Sequence, residues 1–257
     1  MKKSVIIICC IVLFLSNVHS LDIGQSAGGN RFYYGAKGGL VSSMFAQDFQ
    51  KMETTESRTG FSLGVFTGYQ ISDFFGLSVE ALYVQEGTMH LDPNYIYYYN
   101  GISSSETYSQ SITIQRVNSN IVLHNFEFPV LACFSLPKLG SLNAKLFVGG
   151  SYDIIYNAYA YNLLSVTSNN TNPSTSYVLP DRYYDNVTSS FAAYNLSGIL
   201  GIGFEYGAYC VDIRYKLGFV PINSMATYNL QNQYKADFTS SALMISIGVN
   251  IVELFNK

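Results

Sequence analysis

The sequence has no tryptophan, little charge, and few residues that could hold a metal or carry out redox chemistry. Asp, Glu, Lys and Arg make up 12% of the 257 residues, about half the share usual in soluble domains. Without Trp, any aromatic girdle must be built from the 22 Tyr and 17 Phe. Beyond the first twenty residues no apolar run is long enough for a membrane helix, which excludes a helical membrane protein. Cysteine is scarce: once Cys9 and Cys10 of the leader are set aside, Cys133 and Cys210 remain. No CxxC, Cys/His cluster or EF-hand spacing is present, so neither a metal site nor a cofactor is expected. Basic residues are in the minority, 12 against 17 acidic once Lys2 and Lys3 are removed. That balance argues against a nucleic-acid partner.

The N-terminus carries its own instruction. Lys2 and Lys3 precede an apolar run from Val5 to Leu15, and Val18-His19-Ser20 offers tolerated residues at −3 and −1. This is the pattern of a secretory signal peptide over residues 1–20, cleaved after Ser20. Residues 21–30 read as a short periplasmic lead-in, and residues 31–257 as one domain.

What the domain contains is alternation. In residues 191–221, Val211, Ile213, Tyr215 and Leu217 share one face, and Asp212, Arg214 and Lys216 share the other. A period of two is the strand signature. The turn Tyr206-Gly207-Ala208 joins this arm to an earlier one whose face holds Leu196, Gly198, Leu200, Ile202 and Phe204. The same reading places strands at residues 31–44, 59–71, 75–87, 120–134 and 142–159, and a last one at 240–255. Pro129 has no ladder donor and marks a bulge or a locally unpaired donor position in the fourth. Eight strands result, and long loops alternate with short turns between them. That rhythm, with charges sharing a face with Gly and Ser while bulky apolar residues share the other, predicts an all-β, eight-stranded antiparallel up-and-down transmembrane β-barrel. Its short turns and N-terminus would be periplasmic, its long loops external, and its wall in contact with outer-membrane lipid.

Four segments then carry a resemblance: GAKGGL at Gly35 to Leu40, GLSVEALYVQEG at Gly76 to Gly87, FEFPVL at Phe126 to Leu131, and DIRYKLGF at Asp212 to Phe219. In this order they resemble the PorT-like outer-membrane β-barrel family of Bacteroidetes. The resemblance implies an eight-stranded barrel in the bacterial outer membrane, with diverse roles that include assisting a secretion or gliding apparatus. The chain departs from many such barrels in following Phe255 with Asn256 and Lys257.

Parity points Lys37, Glu80, Glu127, Asp212, Arg214 and Lys216 into the lumen. An eight-stranded barrel is just wide enough for side chains to fill, and buried charges of mixed sign must pair. The expectation is that Lys37 and Arg214 bridge Glu80 and Glu127 in one network that closes the lumen. The alternative is a water-filled pore or transport accessory. Tyr95, Tyr97, Tyr98, Tyr99 and Tyr108 lie in the loop at 88–119, and form either a contact surface for an envelope partner, or girdle residues or loop-on-loop packing. His90 and His124 flank that loop, with Glu86 near in sequence. No nucleophile motif accompanies them, so a surface lipid hydrolase is the remotest reading and no enzyme is expected. Cys133 and Cys210, on strands three apart, are expected to stay unbridged.

Overall fold

The computed structural model describes residues 31–47, 56–91, 111–137, 141–169, 176–177, 183–222 and 238–255. Residues 1–30, expected to be leader and lead-in, and the tyrosines at 95–108 lie outside the described residues. Strands β1 (Phe32–Gln47), β2 (Glu56–Gln70), β3 (Phe75–Leu91), β4 (Ser111–Ser135) and β5 (Leu142–Asn169) come first. Two short strands follow, β6 (Ser176–Tyr177) and β7 (Tyr183–Asn186), then a 3-10 turn at Thr188–Ser190. The chain then runs through β8 (Tyr194–Tyr206), β9 (Tyr209–Gly218) and β10 (Phe238–Asn250), and ends in the short helix α1 (Ile251–Phe255).

Eight strands form the wall in the order β4-β3-β2-β1-β10-β9-β8-β5, and a β4–β5 pairing closes the ring. Every pairing is antiparallel. β6 and β7 pair with the far end of β5. Among the described residues no helix is long and apolar enough to cross a membrane.

The wall is inside-out relative to a soluble barrel, and β9 shows it best. Val211, Ile213, Tyr215 and Leu217 are exposed, while Asp212, Arg214 and Lys216 are buried. Leu40, Leu63, Leu200 and Ile247, on four different strands, are each more than 60% exposed. In water such a surface would be costly; in lipid it is the solvated face.

The strands outrun their expected lengths toward the long-connection end. β4 begins at Ser111 rather than at 120, and β5 continues to Asn169 rather than ending at 159. Those extensions pair with each other, Ser111 with Asn169 through Asn120 with Tyr161. The alternating apolar signal that marks a lipid-facing wall stops at the membrane boundary, but the ladder does not. At the other end, β10 stops at Asn250 and α1 takes over, because the Asn250 side-chain carbonyl accepts from the N–H groups of Val252 and Glu253. The expected strand to 255 is therefore five residues too long. The tight β8–β9 turn uses Gly207 at φ 53°, a conformation that glycine adopts without strain. Pro129 faces a gap in the β3–β4 ladder, which passes from Val79↔Val130 directly to Leu82↔Glu127, while its pairing with Ser151 on β5 persists.

Candidate functional site

Among the described residues, the lumen is where charged side chains converge out of water. β3 and β9 stand opposite each other in the eight-strand ring, and β1 lies midway between them. Their inward parity sends Glu80 from β3, Lys37 from β1, and Asp212 and Arg214 from β9 to one level. The Arg214 guanidinium donates from Nη1 to Glu80 Oε2 at 2.8 Å, spanning the barrel from wall to wall. It also donates from Nη2 to Asp212 Oδ2 at 3.2 Å. Lys37 Nζ reaches the same two acids, Glu80 at 3.2 Å and Asp212 at 3.0 Å. Two cations and two carboxylates alternate in a closed ring. Ser246 donates to the remaining Asp212 oxygen at 2.9 Å, and the Phe147 ring lies 4.8 Å beneath the guanidinium.

A second cluster sits one step farther along β9. Lys216, wholly buried, contacts Glu86 of β3, Glu127 of β4 and Asp153 of β5, the last at 3.3 Å. The carboxylates differ in their other support. Asp153 accepts from Ser151, Asn195 and Ser197, and Glu86 accepts from Asn125 and Ser240. Glu127 has only Lys216, and its Oε2 has no partner. Three acids thus surround one ammonium, whereas the first cluster is balanced.

Above the charges, at the long-connection end, the lumen turns apolar. Phe45, Ile121, Leu123, Ile155, Phe191 and Phe238 belong to one buried cluster, with Phe45 and Phe191 rings 6.1 Å apart. Chain segments after β7 and β9 fold in to complete it. Val187 donates to Ala158 O at 2.9 Å, Ala192 to Ile222 O at 2.7 Å, and Ile222 to Phe238 O at 2.8 Å. At the short-turn end, Lys145 pairs with Glu205 at 2.6 Å and lies 5.2 Å from the Tyr33 ring. A pocket of about 40 Å³ lies between Tyr33, Ser78, Phe147 and Arg214, room for a few waters.

All six expected lumen residues are buried, but they form two groups rather than one network. Glu127 does not meet Lys37 or Arg214; its partner is Lys216, next along β9. The reason is depth. Glu127 pairs in register with Leu82, two residues beyond Glu80, so it sits higher in the lumen. Glu86, Asp153, Lys145 and Glu205 also enter the ion pairs, and their inward parity was the signal that could have found them. Ile121 and Leu123 share that inward parity with Glu127, and Ile155 shares it with Asp153, but their apolar character does not by itself tell lumen from lipid.

Among the described residues no catalytic set accompanies this lumen. His124 lies outside it, on the outward face, where Tyr83 is bonded to its Nδ1; the side chain of His90 lies outside the described residues. Among the described residues no group of His, Cys, Asp and Glu is arranged to hold a metal. Cys133 and Cys210 are both free thiols.

A family model described as outer membrane protein beta-barrel domain matches residues 23–224. Among solved structures the chain is similar to Ail of Yersinia pestis, an attachment invasion locus protein, with 11% identity, TM-score 0.41, and coverage of 86% of this chain and 100% of that one. It is similar to Neisserial surface protein A at 11% identity and TM-score 0.39, covering 86% of this chain and 98% of that one. The third, OprG of Pseudomonas aeruginosa, gives 10% identity and TM-score 0.41, covering 86% and 95%. No curated protein sequence matches the chain.

Proposed function

The chain belongs to the outer membrane protein beta-barrel domain family, and from that premise we propose that it is a non-enzymatic interaction protein of the bacterial envelope, with a plugged lumen and long external loops. The bond from Arg214 across the barrel to Glu80 carries this reading. A conduit needs a continuous aqueous path. Here a balanced ion-pair ring, an acid-rich cluster and an apolar cap succeed one another along the axis. Charges removed from water hold such positions only when paired, and an eight-stranded wall leaves no bypass.

A barrel that does not transport acts through what it displays. β1, β3, β5 and β9 end, and β2, β4, β8 and β10 begin, at the same end of the wall. With residues 1–20 removed as a signal peptide and the N-terminus periplasmic, that end is external, and the Tyr-rich connection is the contact surface. The motif likeness to PorT-like barrels of Bacteroidetes supports a partner within an envelope complex, in the manner of an accessory to secretion or gliding. Co-purification from intact outer membranes tests it. Full-length protein captures a stoichiometric envelope partner, and deletion of residues 92–110 releases it. Absence of any partner from the wild type, or retention by the deletion variant, refutes the interaction role.

A further inference from the structure

On the outward wall, just beyond the apolar belt at the long-connection end, lies a cationic patch that the lumen account does not use. Arg58 of β2 extends along β3. A Cβ at Gly87 would collide with the Ile121 carbonyl oxygen and come within 3.1 Å of Arg58 Cδ, so the arginine stem lies against this glycine. The guanidinium carries a fork of N–H donors, yet among the described residues its one hydrogen bond is a long 3.4 Å contact from Nη2 to Gln85 Oε1, and Nη1, itself buried, has no acceptor. No carboxylate pairs with it among the described residues. Gln85 is in register with His124 of β4. The Tyr83 hydroxyl is bonded to His124 Nδ1. With that hydroxyl donating, the ring's proton sits on Nε2 and is left as a second donor. The Tyr159 ring stands edge-on to His124 at 5.6 Å.

Below these donors runs an unbroken aromatic row. Phe61 lies 5.7 Å from Tyr83, Tyr83 lies 6.0 Å from Phe126, and Phe126 lies 5.8 Å from Tyr156. Phe61 and Tyr156 are exposed on the lipid side. The chemistry is that of an amphipathic ligand: donors without an acid at headgroup depth, and an apolar track beneath.

We propose that Arg58 and His124, walled by Tyr83 and Tyr159, bind the phosphate of a membrane lipid whose acyl chains lie along Phe61, Phe126 and Tyr156. Arginine matches phosphate geometry through its planar fork. A guanidinium without a carboxylate partner at the edge of the apolar belt is costly, and a lipid phosphate is the anion available there. The assignment needs the barrel to lie in a membrane, which the family supplies, and it is independent of the partner role proposed above.

Native mass spectrometry of the full-length barrel in detergent tests it, with phosphatidic acid, diacylglycerol and inorganic phosphate as separate probes. The wild type retains one phosphatidic acid and does not retain diacylglycerol. Arg58→Gln weakens that retention by about tenfold, the loss of one charge-assisted hydrogen bond, and Arg58→Lys restores much of it. His124→Phe keeps the aromatic packing, removes the Nε2 donor, and lowers retention independently. Each variant is checked for the folded mobility of the wild type on unboiled gels. Equal retention by folded Arg58→Gln and His124→Phe overturns the proposal. Displacement of the lipid by an equal concentration of inorganic phosphate reassigns the patch to a free anion and overturns it too.

Discussion

Lys216 and Glu127 touch each other, but their removal should have opposite consequences. Lys216 is the sole cation among Glu86, Glu127 and Asp153, and all four are buried to within about 1%. Lys216→Met keeps most of the volume and leaves three carboxylates facing one another. Breaking a buried pair from one side costs about 3–5 kcal/mol. With a urea slope of about 2 kcal/mol per molar, the unfolding midpoint falls by roughly 2 M. Glu127→Gln instead removes the least supported of three like charges. Glu86 and Asp153 keep Lys216 and their own Asn and Ser donors. The new amide also offers N–H groups to those carboxylates. Its stability should match or exceed that of the wild type, within about 1 kcal/mol. Urea unfolding in lipid vesicles, followed by tyrosine fluorescence because the chain has no Trp, reads both variants. A Lys216→Met barrel as stable as the wild type, or a Glu127→Gln barrel as unstable as Lys216→Met, would refute the charge count.

The balanced ring behaves differently. Glu80→Gln leaves Lys37 and Arg214 sharing Asp212 alone, and should cost about 3 kcal/mol by the same principle, with the loss visible in the same urea assay. Phe191→Ala opens a void in the apolar cap against Phe45 and should cost about 3 kcal/mol. Cys133 and Cys210 sit on strands three places apart in the ring, so oxidant should not link them within one molecule; an intramolecular disulfide found by mass spectrometry would contradict the register. The closed wall leaves no free edge, so unboiled protein should migrate differently from boiled protein on gels, and identical migration would argue against a barrel.

The wall was legible because its physics is written every second residue. Val211, Ile213 and Tyr215 against Asp212, Arg214 and Lys216 specify strand, face and solvent together. The turn at Gly207 and the proline at 129 were legible for similar local reasons. What escaped was depth. Period-two parity says that Glu80 and Glu127 both point inward, but their height depends on the stagger between β3 and β4, which is a property of the pairing. Hence one expected network became two clusters, with Glu86 and Asp153 recruited by height rather than by any motif. The outer ends of β4 and β5 escaped for another reason. There the period-two apolar pattern fades while the ladder continues. The patch at Arg58 depends on a contact between β2 and β3 near a register shift between Ser57 and Ser62, which no one-dimensional pattern displays.

The claim on which the functional reading stands is that the lumen is shut. Current across planar bilayers containing the purified, folded wild-type barrel measures this directly. With Arg214 bound to Glu80 across the full width of the ring, and the apolar cap beyond it, insertion should raise no steady conductance above that of the bare bilayer. A sustained, ohmic current that scales with salt concentration would contradict the account and make this barrel a pore.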